Sequence, residues 1–278
     1  MPDIFNVTLR ALRDNTEKSW QKRGDAFAMK LFRESADYVP AYKKFLKSNG
    51  VNPRAIKDIG TFKKEVPVVT KENYLKAYPL NELLPGGQVS HAQMISTSSG
   101  SSGMPFYWPR SLRNIEEASL IHELFLVEFF QIKQKRTLFV NTFAMGMWVA
   151  GTTTFESIER IAQKYKITMV APGIDIEQIL TTVDALGAFY DQIIIAGYPP
   201  FIKDVIDTGK GRGTPWKKFG VRFLFAAESF SEEWREHIHE AVGITPEFFG
   251  SLNIYGTADA LLVAHETPLS ILIRRLAT

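Results

Sequence analysis

Gln192-Ile193-Ile194-Ile195-Ala196 is a short β-like run that stops at Gly197-Tyr198-Pro199-Pro200, where a glycine and two prolines end an extended segment and open a helix. The same unit recurs on both sides of it. Further β-like runs at Thr137–Val140, Thr168–Val170, Arg222–Phe225 and Phe248–Tyr255 alternate with helical stretches near 113–132, 156–165, 176–190, 199–207 and 232–242. Asp175 with Gln178 reads as a capping box, and Ser231 followed by Glu232 and Glu233 reads as a helix start. This alternation predicts an α/β fold with a mostly parallel β-sheet flanked by helices. In such sheets ligands bind beyond the carboxyl ends of the strands. Tyr198, at the end of one run, is therefore a candidate pocket residue.

Upstream the character changes. Residues 1–66 are rich in lysine, arginine and aromatics, with apolar positions at helical spacing: Phe5, Leu9 and Leu12; Phe27 and Leu31; Tyr38, Tyr42 and Phe45. These predict amphipathic helices ending near Gly50 and Pro53. Residues 67–92 carry Pro67, Pro79, Pro85, Gly86 and Gly87 and read as a connector.

Composition narrows the chemistry. The chain has 278 residues, 45% hydrophobic and 23% charged, as expected of a soluble globular protein with a well-buried core. A net charge of +3 with no arginine-rich stripe argues against a nucleic-acid partner. The absence of cysteine excludes disulfides, thiol nucleophiles and cysteine-held metal, and fits a reducing, cytoplasmic location. Met1 to Arg13 holds no apolar run of signal-peptide length. Leu120–Phe130, the most apolar stretch, is interrupted by His122, Glu123 and Glu128 and reads as a buried core helix, so no membrane partner is expected.

Ser96-Thr97-Ser98-Ser99-Gly100-Ser101-Ser102-Gly103-Met104-Pro105 follows the β-like run Ala92–Ile95. By composition it reads as a flexible linker. Its place between a β-run and the apolar Phe106-Tyr107-Trp108 argues instead for a ligand loop, whose glycines allow close backbone approach and whose N–H groups and hydroxyls suit polyphosphate. No Gly-Lys-Ser/Thr follows, so it is not a Walker loop.

Four segments, taken in order, resemble the adenylate-forming (AMP-binding) enzyme superfamily, in its phenylacetate–CoA ligase-like branch. Pro67-Val68-Val69-Thr70-Lys71-Glu72-Asn73-Tyr74 with Tyr78-Pro79 resembles that branch's Pro-x-x-Thr-Lys stretch. Thr97–Pro105 resembles the phosphate-binding signature, Phe225-Ala226-Ala227-Glu228-Ser229-Phe230 the adenine-pocket segment, and Asn253-Ile254-Tyr255-Gly256-Thr257-Ala258-Asp259 the Tyr-Gly-x-Ser/Thr-Glu motif. The resemblance implies the superfamily's N-terminal domain, incomplete. Residues 1–92 would be a helical region and connector packed on the main domain, and 93–278 the α/β nucleotide- and acid-binding domain, with the C-terminal lid absent.

The implied activity is ATP-dependent activation of a carboxylic acid to an acyl-adenylate, as in acid–CoA ligases. A non-catalytic nucleotide- or acid-binding relative that lost its lid is the alternative. Ser98, Ser99, Gly100, Ser101, Ser102 and Gly103 would cradle the phosphates of ATP. Ala226, Ala227, Glu228, Tyr255 and Gly256 would bind adenine. Asp259, with Thr257 beside it, would be catalytic and would hold Mg2+, a cation that prefers oxygen ligands. Phe143, Met145, Gly146 and Trp148, with Met147 and Tyr198, occupy the place of the acyl pocket and suit an aromatic or hydrophobic acid; each apolar one reads equally well as core. CoA would be the acceptor, and a homodimer is allowed.

Several positions depart from the family pattern. Asp259 replaces glutamate, Ala258 replaces a hydroxyl residue, and Met104 stands where related ligases often have lysine. On the resemblance, the ribose-binding aspartate, the hinge and the lid with its catalytic lysine lie beyond Thr278. The isolated chain is then expected to form no CoA thioester and to adenylate slowly. Other signals point nowhere. His237 and His239 sit at i,i+2 on a predicted helix, facing different ways. His265-Glu266 has no second histidine at metal spacing, and no Gly-x-Ser-x-Gly elbow exists. Gly209-Lys210-Gly211-Arg212-Gly213 reads as a solvated loop after a helix.

Overall fold

A computed structural model describes residues 4–97, 106–245 and 248–277. The chain divides into two compact units, meeting in sequence between Ala92 and Gln93.

In the first unit, helices α1 (Ile4–Asp14), α2 (Glu17–Tyr38), α3 (Pro40–Ser48) and α4 (Ile59–Glu65) precede a series of short turns. Thr16 caps α2 by accepting from the Ser19 N–H at 3.3 Å, and Pro40 starts α3 at a position where its missing N–H costs nothing. The buried stripe of α2 is Met29, Phe32 and Ala36, which packs with Phe45, Leu46 and Ile56. Phe27, Leu31 and Tyr38, expected to face a core, are each more than 60% exposed within this helix. An i, i+4 pair also fits the lysine-rich face, and burial follows the i, i+3, i+7 row that meets the rings of Tyr42 and Phe62. The Thr70-Lys71-Glu72-Asn73 stretch is a capping box opening the turn Lys71–Leu75: Asn73 N–H donates to Thr70 Oγ1 at 3.1 Å and Thr70 N–H to Asn73 Oδ1 at 2.7 Å.

The second unit is built as the alternation predicts. Strands β1 (Met94–Thr97) and β2 (Tyr107–Arg110) pair antiparallel on either side of residues 98–105. Then come α5 (Leu112–Glu128), β3 (Thr137–Asn141), α6 (Val149–Ala162), β4 (Ile167–Val170), α7 (Ile176–Leu186), β5 (Gln192–Gly197), α8 (Pro199–Arg212), β6 (Val221–Ala226), α9 (Glu232–Val242), β7 (Ser251–Thr257), β8 (Leu261–His265) and α10 (Pro268–Ala277). The six-stranded sheet runs β4-β3-β5-β6-β7-β8, with β8 antiparallel and the rest parallel.

β3 and β5 are buried along their whole length, because helices cover both faces. Leu138, Val140, Ile193, Ile195, Phe223 and Phe225 point to one face, against Ile179, Leu180 and Val183 of α7, Ile202, Val205 and Ile206 of α8, and Ile238 of α9. The alternate residues Phe139, Ile194 and Leu224 are buried on the other. There α6 packs along β3 and β4 and against α5, which reaches β8. The chain leaves β3 toward β4 on one side and returns to β5 on the other. The strand order therefore reverses between β3 and β5, the kind of switch point beside which ligands bind in open parallel sheets.

Several boundaries differ from the sequence reading. The Gly209–Gly213 run is not a loop after a helix: it is the last turn of α8, closed by Gly213 in the left-handed conformation. Gly209 is needed there, since a Cβ would lie 2.6 Å from the Trp216 ring. α6 begins at Val149 rather than 156, and β7 begins at Ser251 rather than Phe248. Asp175 caps α7 through the Gln178 N–H at 2.9 Å, but the Gln178 amide returns to the Asp175 carboxylate rather than to its backbone. Strand β8 and helix α10 carried no strong pattern; Thr267-Pro268, a cap followed by proline at the first helical position, was the available signal for α10.

Candidate functional site

The carboxyl ends of β3, β5, β6 and β7 deliver Asn141–Phe143, Gly197–Tyr198, Ala226–Glu228 and Tyr255–Thr257 to one edge of the sheet. Two features shape this edge. Ala227 has φ of +76°, a left-handed backbone unusual for a residue with a Cβ and found where surrounding structure enforces it. Between Tyr255 and Gly256 the pairing of β7 with β8 slips by a bulge. Gly256 is required at that point, because a Cβ would come within 2.5 Å of the Leu261 carbonyl oxygen.

Two cavities flank these residues. The larger, about 770 Å³, is walled by Ala227, Glu228 and Ser229, by Asn253–Gly256, by Ala264–Glu266, and by Ser270, Ile273 and Arg274 of α10. Tyr255 is 62% exposed and offers its ring to the opening. Tyr198 donates its hydroxyl to Glu228 Oε2 at 3.0 Å, and the Asn253 amide donates to the Glu228 carbonyl at 3.3 Å. Asn253 Oδ1 is buried without a partner among the described residues.

A network of charges backs this wall. Arg235, 1% exposed, pairs with Glu232 at 3.0 Å and with Glu266 at 2.7 Å; Arg274 reaches Glu266 at 2.6 Å. Glu266 also accepts from the Asn253 N–H at 2.8 Å, which ties α9, α10 and β7 together beside the cavity. His239, buried beneath, bonds Ser251 Oγ at 2.9 Å, and burial followed by the charges of Arg235, Arg275 and Arg222 lowers its pKa to about 3.

The smaller cavity, about 150 Å³, is lined by Phe143, by Val149, Ala150, Thr153 and Thr154 of α6, by His122 of α5, and by Ala226, Ala227, Ile254, Gly256–Ala258, Leu261 and Leu262. Ala227, Ile254 and Gly256 belong to both linings, so the two cavities share a wall. Asp259 lies instead in a third recess of about 170 Å³, with Arg110, Asn114 and Glu117. Arg110 holds this loop by donating to the carbonyls of Ala258 and Asp259. The Thr257 hydroxyl and backbone N–H groups keep the Asp259 carboxyl below its ordinary pKa, hence ionised.

The structure thus brings together Ala226, Ala227, Glu228, Tyr255, Gly256, Thr257 and Phe143. Met145, Gly146, Met147 and Trp148 form the link into α6, where Thr97 N–H donates to the Met147 carbonyl at 2.8 Å; none of them lines either shared-wall cavity. Ser98, Ser99, Gly100, Ser101, Ser102 and Gly103 lie outside the described residues. His122, Thr153, Glu266 and Arg274 line these cavities without having been candidate site residues, His122 because it sits inside an apolar run that reads as core.

One carboxylate with an adjacent hydroxyl matches how Mg2+ is usually held, by one or two carboxylates and the phosphates of its nucleotide. Among the described residues no three His, Cys, Asp or Glu side chains gather as a self-sufficient metal site. No helix is long and apolar enough to cross a membrane.

No family model matches the chain, and no curated protein matches it either. Solved structures do match. A 2-hydroxyisobutyryl-CoA ligase in an open conformation with 2-HIB-AMP and CoA superposes with a TM-score of 0.66 at 15% identity, over 87% of this chain and 55% of the ligase. Its thioesterification state gives 0.67 at 14%, and its postadenylation state with 2-HIB-AMP 0.66 at 15%, each over 87% of this chain and 50% of the other. This chain therefore has the fold of the adenylate-forming ligases, and it spans about half the length of the solved structures it matches.

Proposed function

We propose that this chain binds ATP and a hydrophobic carboxylic acid in adjoining cavities and activates the acid as an acyl-adenylate. The observation that carries the reading is the shared wall of Ala227, Ile254 and Gly256 between a large cavity that also carries Glu228, Asn253, Glu266 and Arg274 and a small one that is almost wholly apolar. Adenine would stack on Tyr255, with Asn253 Oδ1 accepting from its amino group and the Glu228 segment along its edge. The acid's tail would lie against Phe143, Val149 and Leu262, leaving its carboxylate at the shared wall, within reach of the α-phosphate. Rate would come from positioning the two reactants and from stabilising charge at phosphorus.

Ser98–Gly103 supply the chemistry of a phosphate cradle, hydroxyls and glycine N–H groups. Asp259, ionised, with Thr257, would hold Mg2+ brought in on the nucleotide; the ion would neutralise phosphate charge. CoA is the acceptor proposed, in keeping with the solved ligases that bind it. One observation favours binding without turnover: Asp259 lines the Arg110 recess rather than either cavity.

ATP–pyrophosphate exchange with phenylacetate and related ring acids tests the reading. Acid-dependent exchange is the expected result. Nucleotide binding by calorimetry without exchange would leave the binding-only relative, and absence of both would refute the assignment.

A further inference from the structure

Helix α2 carries apolar side chains on two opposite sides. Met29, Phe32 and Ala36 serve the core of the first unit. Trp20, Phe27, Leu31 and Tyr38 lie on the other side and are between 38% and 65% exposed. With Gly24 and Glu34, also exposed, they form the series 20, 24, 27, 31, 34, 38, in which steps of four and three alternate. That is the spacing of a coiled-coil seam, and it occupies most of a helix of 22 residues, about 33 Å long.

Gly24 is not explained by packing within its own unit. A glycine inside a helix is destabilising relative to alanine, and a Cβ at Gly24 would meet nothing within 4 Å. Room on the seam for an incoming side chain offsets that cost. The series is also self-complementary. Laid antiparallel to a copy of itself, about a two-fold axis level with residue 29, it sets Trp20 against the partner's Tyr38 and Phe27 against the partner's Leu31. Gly24 then faces the partner's Glu34. Arg23, exposed on the flank of the seam, comes level with the partner's Asp37, an opposite charge. A parallel pairing would instead oppose Glu34 to the partner's Glu34. An anionic lipid surface is disfavoured in the same way, because Glu34 and Asp37 border the stripe.

We infer that two copies of this chain associate through this face of α2, the helices packed antiparallel across a two-fold axis. Each apolar contact and each Arg23–Asp37 pair then occurs twice, so a single exposed stripe closes the dimer. The inference is independent of the acid-activation reading.

The test is sedimentation of the 278-residue chain at rising concentration, with the folding of each variant checked by circular dichroism. One helix pair is a small interface, so half-association is expected at about 50 μM or below, the mass rising from 31.4 kDa toward double. Leu31→Lys should weaken dimerisation about tenfold or more. Arg23→Asp should weaken it about threefold or more, and adding Asp37→Arg should restore it, because the exchanged charges meet again. A chain still monomeric at about 200 μM overturns the inference. So does a dimer indifferent to Leu31→Lys, which uses another surface, and so does one that the double exchange fails to restore. Flotation of the chain with phosphatidylserine vesicles, without dimerisation in solution, would give the stripe to a lipid surface and overturn it as well. The charge exchange leaves every apolar residue in place, so it decides the matter if Leu31→Lys does not fold.

Discussion

The two cavities at the strand ends differ in how their walls are held. Behind the larger one stands a network, buried at Arg235 and Glu232, in which Arg235, Arg274, Glu232 and Glu266 neutralise one another and Glu266 anchors Asn253. Around the smaller one, packing of Phe143, Val149, Ile254 and Leu262 does the work. A charged scaffold fixes orientation but is costly to break. An apolar wall is tolerant of change but can be filled. The same few residues of β6 and β7 serve both, so the two sites can be perturbed separately only from their outer walls.

The largest expected effect comes from Glu266→Ala. It strips Arg235 and Arg274 of a partner and leaves a charge that is 1% exposed without its 2.7 Å contact. Breaking one side of a buried pair costs about 3–5 kcal/mol, which urea denaturation would read as a large fall in midpoint. The exposed Lys203–Asp207 pair on α8 is the contrast, and Lys203→Ala should leave the midpoint unmoved. If both variants behave alike, the network is not what supports the larger wall.

Filling the small cavity is the second way to break the comparison. Ala150→Leu places extra carbon atoms in a space of about 150 Å³ beside Phe143, at a packing cost of about 1–3 kcal/mol. Acid binding should fall by about tenfold or more if that cost appears on ligand entry, while nucleotide affinity stays within about twofold. Equal loss of both in paired calorimetric titrations would mean that the cavities do not act as separate sites.

The smallest effect is one of pH. His239 and His122 have folded-state pKa values of about 3 and about 4, both below the ordinary 6.5. The unfolded chain therefore binds more protons between about pH 4 and 6.5, and stability present above that range falls as the pH is lowered through it. Each histidine contributes a slope of up to about 1.4 kcal/mol per pH unit. His239→Gln, which keeps a bond to Ser251 within reach, should flatten the urea midpoint across this window. An unchanged slope would mean that His239 does not hold its neutral form in the folded state.

How much of this could be read from residue order varies from element to element. The Gln192–Pro200 unit was legible because a strand buried on both faces needs an uninterrupted apolar run, and a proline pair ends a strand and is tolerated in a helix only in its first turn. Tyr255-Gly256 entered only through a family motif; the bulge there, and the fit of glycine alone against the Leu261 carbonyl, came from the pairing of β7 with β8. The basic Gly209–Gly213 run misled because glycine marks loops in general, whereas here Gly209 is the residue small enough for Trp216 to pack on α8.

The apolar face of α2 misled because Phe27 and Leu31 satisfy helical spacing as well as Phe32 and Ala36 do; only the partners presented by α3 and α4 choose between them. The division has a physical basis. Local periodicity, caps and obligatory glycines are properties of neighbouring residues and determine which elements form. Which buried polar atom is left without a bond, and which two cavities share a wall, depends on side chains brought together from α5, α6, β6 and β7.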